Sequence, residues 1–105
     1  MVERKQIKRF VKEVAEEFAP QRIVLFGSYA KGGATEDSDV DLMVIMTHKK
    51  RNVDQALEID QKIHRSFPLD LIVKTPAEIK SRLAQKDVFI SSVVNEGKVL
   101  YENNC

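Results

Sequence analysis

Between positions 3 and 19 the apolar residues Ile7, Phe10, Val11, Val14 and Phe18 follow the i, i+3, i+4, i+7, i+11 spacing of one buried helix face. Pro20 stops that run. Arg22-Ile23-Val24-Leu25-Phe26 is a short apolar stretch rich in β-branched residues and closed by Gly27, which predicts a buried strand. Residues 28–38 are small and polar and predict a turn-rich connection. Val40 to Met46 predicts a second strand with Asp39 at its entrance. After the basic stretch Thr47-His48-Lys49-Lys50-Arg51, Asn52 stands three residues before Gln55 as a capping box. It opens a helix to about residue 66 with Val53, Ala56, Ile59, Ile63 and Phe67 inward. Leu69 to Val73 predicts a third strand. Thr75-Pro76-Ala77-Glu78 combines a threonine cap, proline at the first helical position and glutamate at the third. A last helix starts at Asp87, turns Phe89, Ile90, Val93 and Val94 to one side, and ends at Gly97. Val99-Leu100-Tyr101 is expected to pack back onto the body.

The order αβ(turn)βαβαα predicts an α/β (α+β) domain, a small mixed sheet of three to four strands flanked by helices. At 105 residues the chain reads as a single domain, 1–105. With 17 basic and 16 acidic residues the net charge is +1, so no whole-molecule field would hold nucleic acid by charge alone. An anionic ligand needs a local arrangement. The one cysteine, Cys105, excludes an intramolecular disulfide framework and reads as an idle tail thiol. No apolar run approaches the roughly 20 residues of a membrane span. The charged start Met1-Val2-Glu3-Arg4-Lys5-Gln6 is unlike a signal peptide, so a cytoplasmic location is expected.

Three features carry candidate chemistry. Gly27-Ser28 follows an apolar strand, where glycine lets a ligand approach and a helix starting at Ser28 would offer free N–H groups to an anion. The same pair also serves as a plain turn. Asp39-Val40-Asp41 enters a strand, and alternation puts both carboxylates on one face, about 6.6 Å apart along the chain. They either converge on a cation or stand in water at a strand entrance. Asp70 lies within the third apolar run, where an unpaired buried carboxylate would be costly. If strand 69–73 lies beside strand 40–46, Asp70 comes within reach of the other two. Three hard oxygen donors in a cleft suit Mg²⁺, with Mn²⁺ also possible. His48 and His64, like Lys49-Lys50-Arg51, read as solvated surface, and Tyr101 as a packing aromatic.

Gly27-Ser28, ten intervening residues, then Asp39-Val40-Asp41 resembles the GSX10DXD signature of the minimal nucleotidyltransferases, a branch of the DNA polymerase β superfamily. The flanking stretches through Val44, and Glu96-Gly97-Lys98-Val99-Leu100-Tyr101-Glu102, are similar to that family as well. The resemblance implies the nucleotidyltransferase fold and a two-metal, Mg²⁺-dependent in-line attack on the α-phosphorus of ATP. Asp39, Asp41 and Asp70 would be catalytic and hold two metal ions, while Gly27, Ser28 and Lys31 would hold the β- and γ-phosphates. An arginine is frequent in the turn after Gly-Ser. Here Lys31 is the only basic residue there, and it meets a phosphate as a point charge rather than bidentately. The resemblance further implies an antitoxin that transfers AMP to a hydroxyl, a tyrosine above all, of a HEPN-type toxin partner. Two alternatives stand beside it: a non-catalytic antitoxin or regulatory subunit acting by occlusion, and a small-molecule nucleotidyltransferase. Some thirty residues after the last predicted strand are too few for an acceptor-binding domain, so an oligomer with a partner is expected. Val88, Phe89 and Val93 are the expected docking patch.

Overall fold

Two apolar runs, each buried on both sides, form the middle of the sheet. In the computed structural model, which describes residues 1–103, β1 (Arg22–Phe26) pairs antiparallel with β2 (Val40–Ile45). β3 (Leu69–Lys74) runs parallel to β2 on one edge. β4 (Lys98–Glu102) runs antiparallel to β1 on the other, giving the order β3-β2-β1-β4. Cys105 lies outside the described residues.

Alternation along the strands divides the core into two unequal halves. On one face Ile23, Leu25, Val40, Leu42 and Val44 pack against Ile7, Phe10 and Val14 of α1 (Arg4–Phe18) and Ile59 of α3 (Asn52–Lys62). Phe10 meets Phe67 edge to face, ring centroids 5.9 Å apart. On the other face Val24, Met43 and Ile45 pack against Ile90 and Val93 of α5 (Val88–Glu96), with Ile79 of α4 (Pro76–Ala84) at the margin. The helix starts follow their local chemistry. The Thr75 hydroxyl oxygen accepts from the Glu78 N–H and Glu78 reaches back to Thr75, while the Asp87 carboxylate accepts from the Ile90 N–H at 2.9 Å.

The mixed four-stranded sheet agrees with the expected fold class. Two elements are added to the expected order: α2 (Ser28–Lys31), a single turn, and β4, which makes Val99-Leu100-Tyr101 part of the sheet. Tyr101 is half-buried against the larger core, as expected.

The start of α3 differs from its sequence signal. Arg51 holds the cap position without a side-chain bond to the helix backbone, and Asn52 is already helical. Asn52 spends its side chain elsewhere: Nδ2 donates to Glu78 Oε1 at 2.8 Å, which leaves Oδ1 to accept from His48 Nε2 at 2.7 Å. His48 is therefore a half-buried tether between the β2–α3 loop and α4 rather than solvated surface, whereas His64 is exposed. The buried stripe of α3 runs through Gln55, Ala56, Ile59 and Ile63. Val53 lies on the far side of that stripe at 65% exposure, so it is not an inward residue, and the helix ends at Lys62. In the basic loop Lys50 pairs with Glu58 and Arg51 with Asp54.

Gly97 joins α5 to β4 where no side chain fits. A Cβ there would collide with the Val93 carbonyl and with Val24 Cγ1. Gly97→Ala is expected to cost about 1–3 kcal/mol, as overpacking does. Gly33→Ala, where a Cβ meets nothing within 4 Å, should change stability by no more than about 0.5 kcal/mol. Urea midpoints of the two variants, compared at equal slope, check the contrast; equal midpoints would remove the packing claim.

Candidate active site

The pairing of three strands assembles the site. Asp41 stands opposite Phe26 in the antiparallel register and opposite Asp70 in the parallel one, so Phe26, Asp41 and Asp70 form one row across the end of the sheet. The ladder continues one step past the strand, Val40 N–H donating to the Pro68 carbonyl at 3.0 Å. That step holds Asp39 beside the row, on the Asp41 side by alternation. Asp39 and Asp70 are exposed and Asp41 is half-buried.

Gly27 follows Phe26 with φ +73°, a conformation that favours glycine, and a Cβ there would strike Asp41 Oδ2. Its carbonyl accepts from the Ala30 and Lys31 N–H groups at 3.1 Å each. This closes α2 and leaves the amides of its first residues directed outward. Gly27 thus stands directly against Asp41 of the carboxylate row, with Ser28 next in the chain. Lys31, at the end of α2, lies 3.5 Å from Glu96 of α5.

One wall of the site is aromatic. Phe89 of α5 meets Phe26 edge to face, centroids 5.6 Å apart. A cleft of about 210 Å³ between α2 and α5 is lined by Phe26, Gly27, Lys31, Phe89, Ser92 and Glu96. Neither Phe89 nor Glu96 could be assigned to the site from sequence, because α5 reaches it only through folding. Phe26 was readable in principle, since it precedes Gly27 on the strand. Of the expected docking patch, Val88 (84%) and Phe89 (46%) are exposed, whereas Val93 is buried in the smaller core.

Burial, then the charges of Asp70 and Asp39, hold the Asp41 carboxyl above its ordinary value, and a hydrogen bond shared with Asp70 adds to the effect. Among the described residues no three His, Cys, Asp or Glu side chains converge into a ready-made cage for an ion. The donor set nonetheless fits Mg²⁺. It is all carboxylate oxygen, it carries uncompensated negative charge, and an ion that keeps several waters needs only one or two carboxylates in contact. The two exposed aspartates have room to turn inward.

Residues 5–105 match the family profile described as Polymerase beta, Nucleotidyltransferase. The chain belongs to this family. It is 32% identical over 106 residues to the Methanocaldococcus jannaschii protein MJ0604, named as a protein adenylyltransferase, covering 96% of this chain and all of that one. A crystal structure of a Sulfolobus solfataricus protein described as a nucleotidyltransferase superposes with TM-score 0.66 at 26% identity, covering 94% of this chain and 79% of that one. A toxin–antitoxin crystal structure with AMP-PNP shares the fold at TM-score 0.55 and 23% identity, over 92% of this chain and 74% of that one. Among the described residues no helix is long and apolar enough to cross a membrane.

The electrostatics of the carboxylate row give a signed expectation. A carboxyl whose folded-state pKa is raised contributes stability that is complete below its unfolded value of 3.8 and is lost as pH rises through the folded value. In metal-free buffer at pH 7, Asp41→Asn should therefore melt above the wild type, with the difference vanishing near pH 3. Calorimetry in EDTA checks this, and an Asp41→Asn variant less stable than wild type at pH 7 would show the carboxylate to be a structural group.

Proposed function

We propose that this chain is a Mg²⁺-dependent protein adenylyltransferase that transfers AMP from ATP to a hydroxyl of a partner protein, acting as the antitoxin of a toxin–antitoxin pair in the cytoplasm. The observation that carries the reading is the row of Asp41 and Asp70, with Asp39 beside it, set directly against Gly27 at the start of α2. A polyphosphate on the outward amides of Gly27 and Ser28 would bring its α-phosphorus over the carboxylates. Lys31, released from Glu96, would meet the terminal phosphates as a point charge. Asp39, Asp41 and Asp70 would hold the metal ions, and Asp70, on the outer strand, would hold the one nearer the acceptor, acidifying the acceptor hydroxyl or taking its proton. Bound Mg²⁺ supplies neutralisation of the charge that develops on the attacking and leaving oxygens.

The name carried by the M. jannaschii relative supports adenylylation of a protein, and the toxin–antitoxin neighbour with AMP-PNP supports an ATP-type nucleotide and a toxin partner. The HEPN class of that partner and a tyrosine as acceptor follow from the resemblance of the Gly27-Ser28…Asp39-Val40-Asp41 signature. Val88 and Phe89, exposed beside the site, are the surface on which the partner would rest. Seating the acceptor there would supply by proximity what a second domain supplies in larger enzymes.

Two measurements test the reading. ATP affinity by calorimetry should be clearly stronger in Mg²⁺ than in EDTA, and equal affinity in both would remove the metal from the mechanism. Incubation of the protein with the product of the neighbouring gene, ATP and Mg²⁺ should add about 329 Da per AMP to that product, the increment left when pyrophosphate departs. Asp39→Asn and Asp41→Asn should abolish the mass shift while the circular dichroism spectrum is kept. A double mutant that still neutralises the partner, with no mass shift in the wild-type reaction, would establish occlusion instead.

A further inference from the structure

On the sheet face opposite the carboxylates, at the same end of β1, a cavity of about 420 Å³ opens between the start of α1, α2 and the start of β4. It is about twice the volume of the cleft between α2 and α5. Its floor is apolar: Ile7 and Leu25 are buried, and Tyr29 and Leu100 half-buried. Val2 closes one side, its N–H donating to the Tyr29 hydroxyl oxygen at 3.1 Å. The Tyr29 O–H hydrogen is left available to a further acceptor.

The rim is cationic. Arg4 and Lys8, one turn apart on α1, and Lys98 on β4 are all exposed, and no residue lining the cavity is acidic. Among the described residues none of the three forms an ion pair, although nine other basic side chains do. Like charges at i, i+4 repel. Among the described residues five other lysines also form no ion pair, but these three cations line one apolar hollow in a chain whose net charge is only +1.

We propose that this cavity binds a small amphipathic anion: an apolar body seated on Ile7, Leu25 and Leu100, with a carboxylate or phosphate group held between Arg4, Lys8 and Lys98. Shape favours a small molecule over a protein segment. Small-molecule sites are concave and run from about 300 to 1,000 Å³, whereas a protein partner needs about 800 Å² of surface on each side. The exposed apolar residues Val88 and Phe89 suit the latter and lie elsewhere. The cavity shares no residue with the cleft between α2 and α5 or with the aspartate row, so it stands or falls separately from the transferase reading.

The test uses the full chain, ¹⁵N-labelled, with decanoate as the probe and decyltrimethylammonium as the same chain length with opposite charge. Decanoate is expected to bind saturably below its aggregation threshold, moving the amide resonances of Tyr29, Lys98 and Leu100. Decyltrimethylammonium should give no saturable binding. Lys8→Glu/Lys98→Glu should weaken decanoate about tenfold or more, and Lys8→Met/Lys98→Met, which avoids introducing acids, should weaken it in the same direction. Absence of decanoate binding, shifts centred on Val88 and Phe89, equal binding of the cationic probe, or unchanged affinity in both double variants would each overturn the proposal.

Discussion

Asp41 and Asp70 are neighbours because β2 and β3 run parallel and in a register that sets them directly opposite. Like charges facing each other on adjacent strands repel, and sheets ordinarily avoid the pairing. The remaining rungs of the same ladder offset it: Leu42 and Met43 are fully buried and Val73 nearly so, and Val40 and Val44 close the larger core on the other face. The register cannot slip to relieve the aspartates, because a one-residue shift would turn every one of those side chains to the wrong face. The apolar pattern of β2 and β3 thus holds in place an electrostatic conflict that those two strands would not otherwise adopt.

The second constraint is the absence of a side chain at Gly27. Asp41 occupies the space a Cβ would need, and the same residue turns the chain from β1 into α2 with a positive φ. One atom's absence therefore links an anion-repelling row to an anion-attracting helix start. A carboxylate packed against the glycine that starts a helix is more than a plain turn requires. The arrangement suits a ligand that carries both cations and anions, as a metal-complexed polyphosphate does.

Much of this was legible in the sequence where the signal is local. The heptad-like spacing of Ile7, Phe10, Val11 and Val14 fixed α1, and Thr75-Pro76-Ala77-Glu78 fixed the start of α4, because a capping box is closed within four residues. The shared face of Asp39 and Asp41 followed from alternation alone. Signals failed where a side chain was spent on a distant partner. Asn52 reads as a cap but bonds His48 and Glu78, and the stripe of α3 was misphased at Val53 because Gln55, a polar residue, occupies the buried position. The contribution of β4 and the arrival of Phe89 and Glu96 at the site depend on contacts 60 or more residues apart in sequence, and the parallel β2–β3 pairing joins residues 29 apart, none of which periodicity encodes.

The unequal division of the core explains why the site lies where it does. The larger half is sealed by α1 and α3, while the smaller is covered by α5 alone at the end where the carboxylates stand. Phe26 and Phe89 continue that smaller core outward, which partly desolvates Asp41 yet leaves Asp39 and Asp70 open to water. A half-dry wall strengthens electrostatic interactions at the cleft without closing it. The same wall exposes apolar surface at Phe89 and Val88 that the fold itself does not cover. A second macromolecule resting there would complete both jobs at once, burying the apolar residues and excluding the remaining water from the charged row. On this view the incomplete core and the incomplete site are one feature.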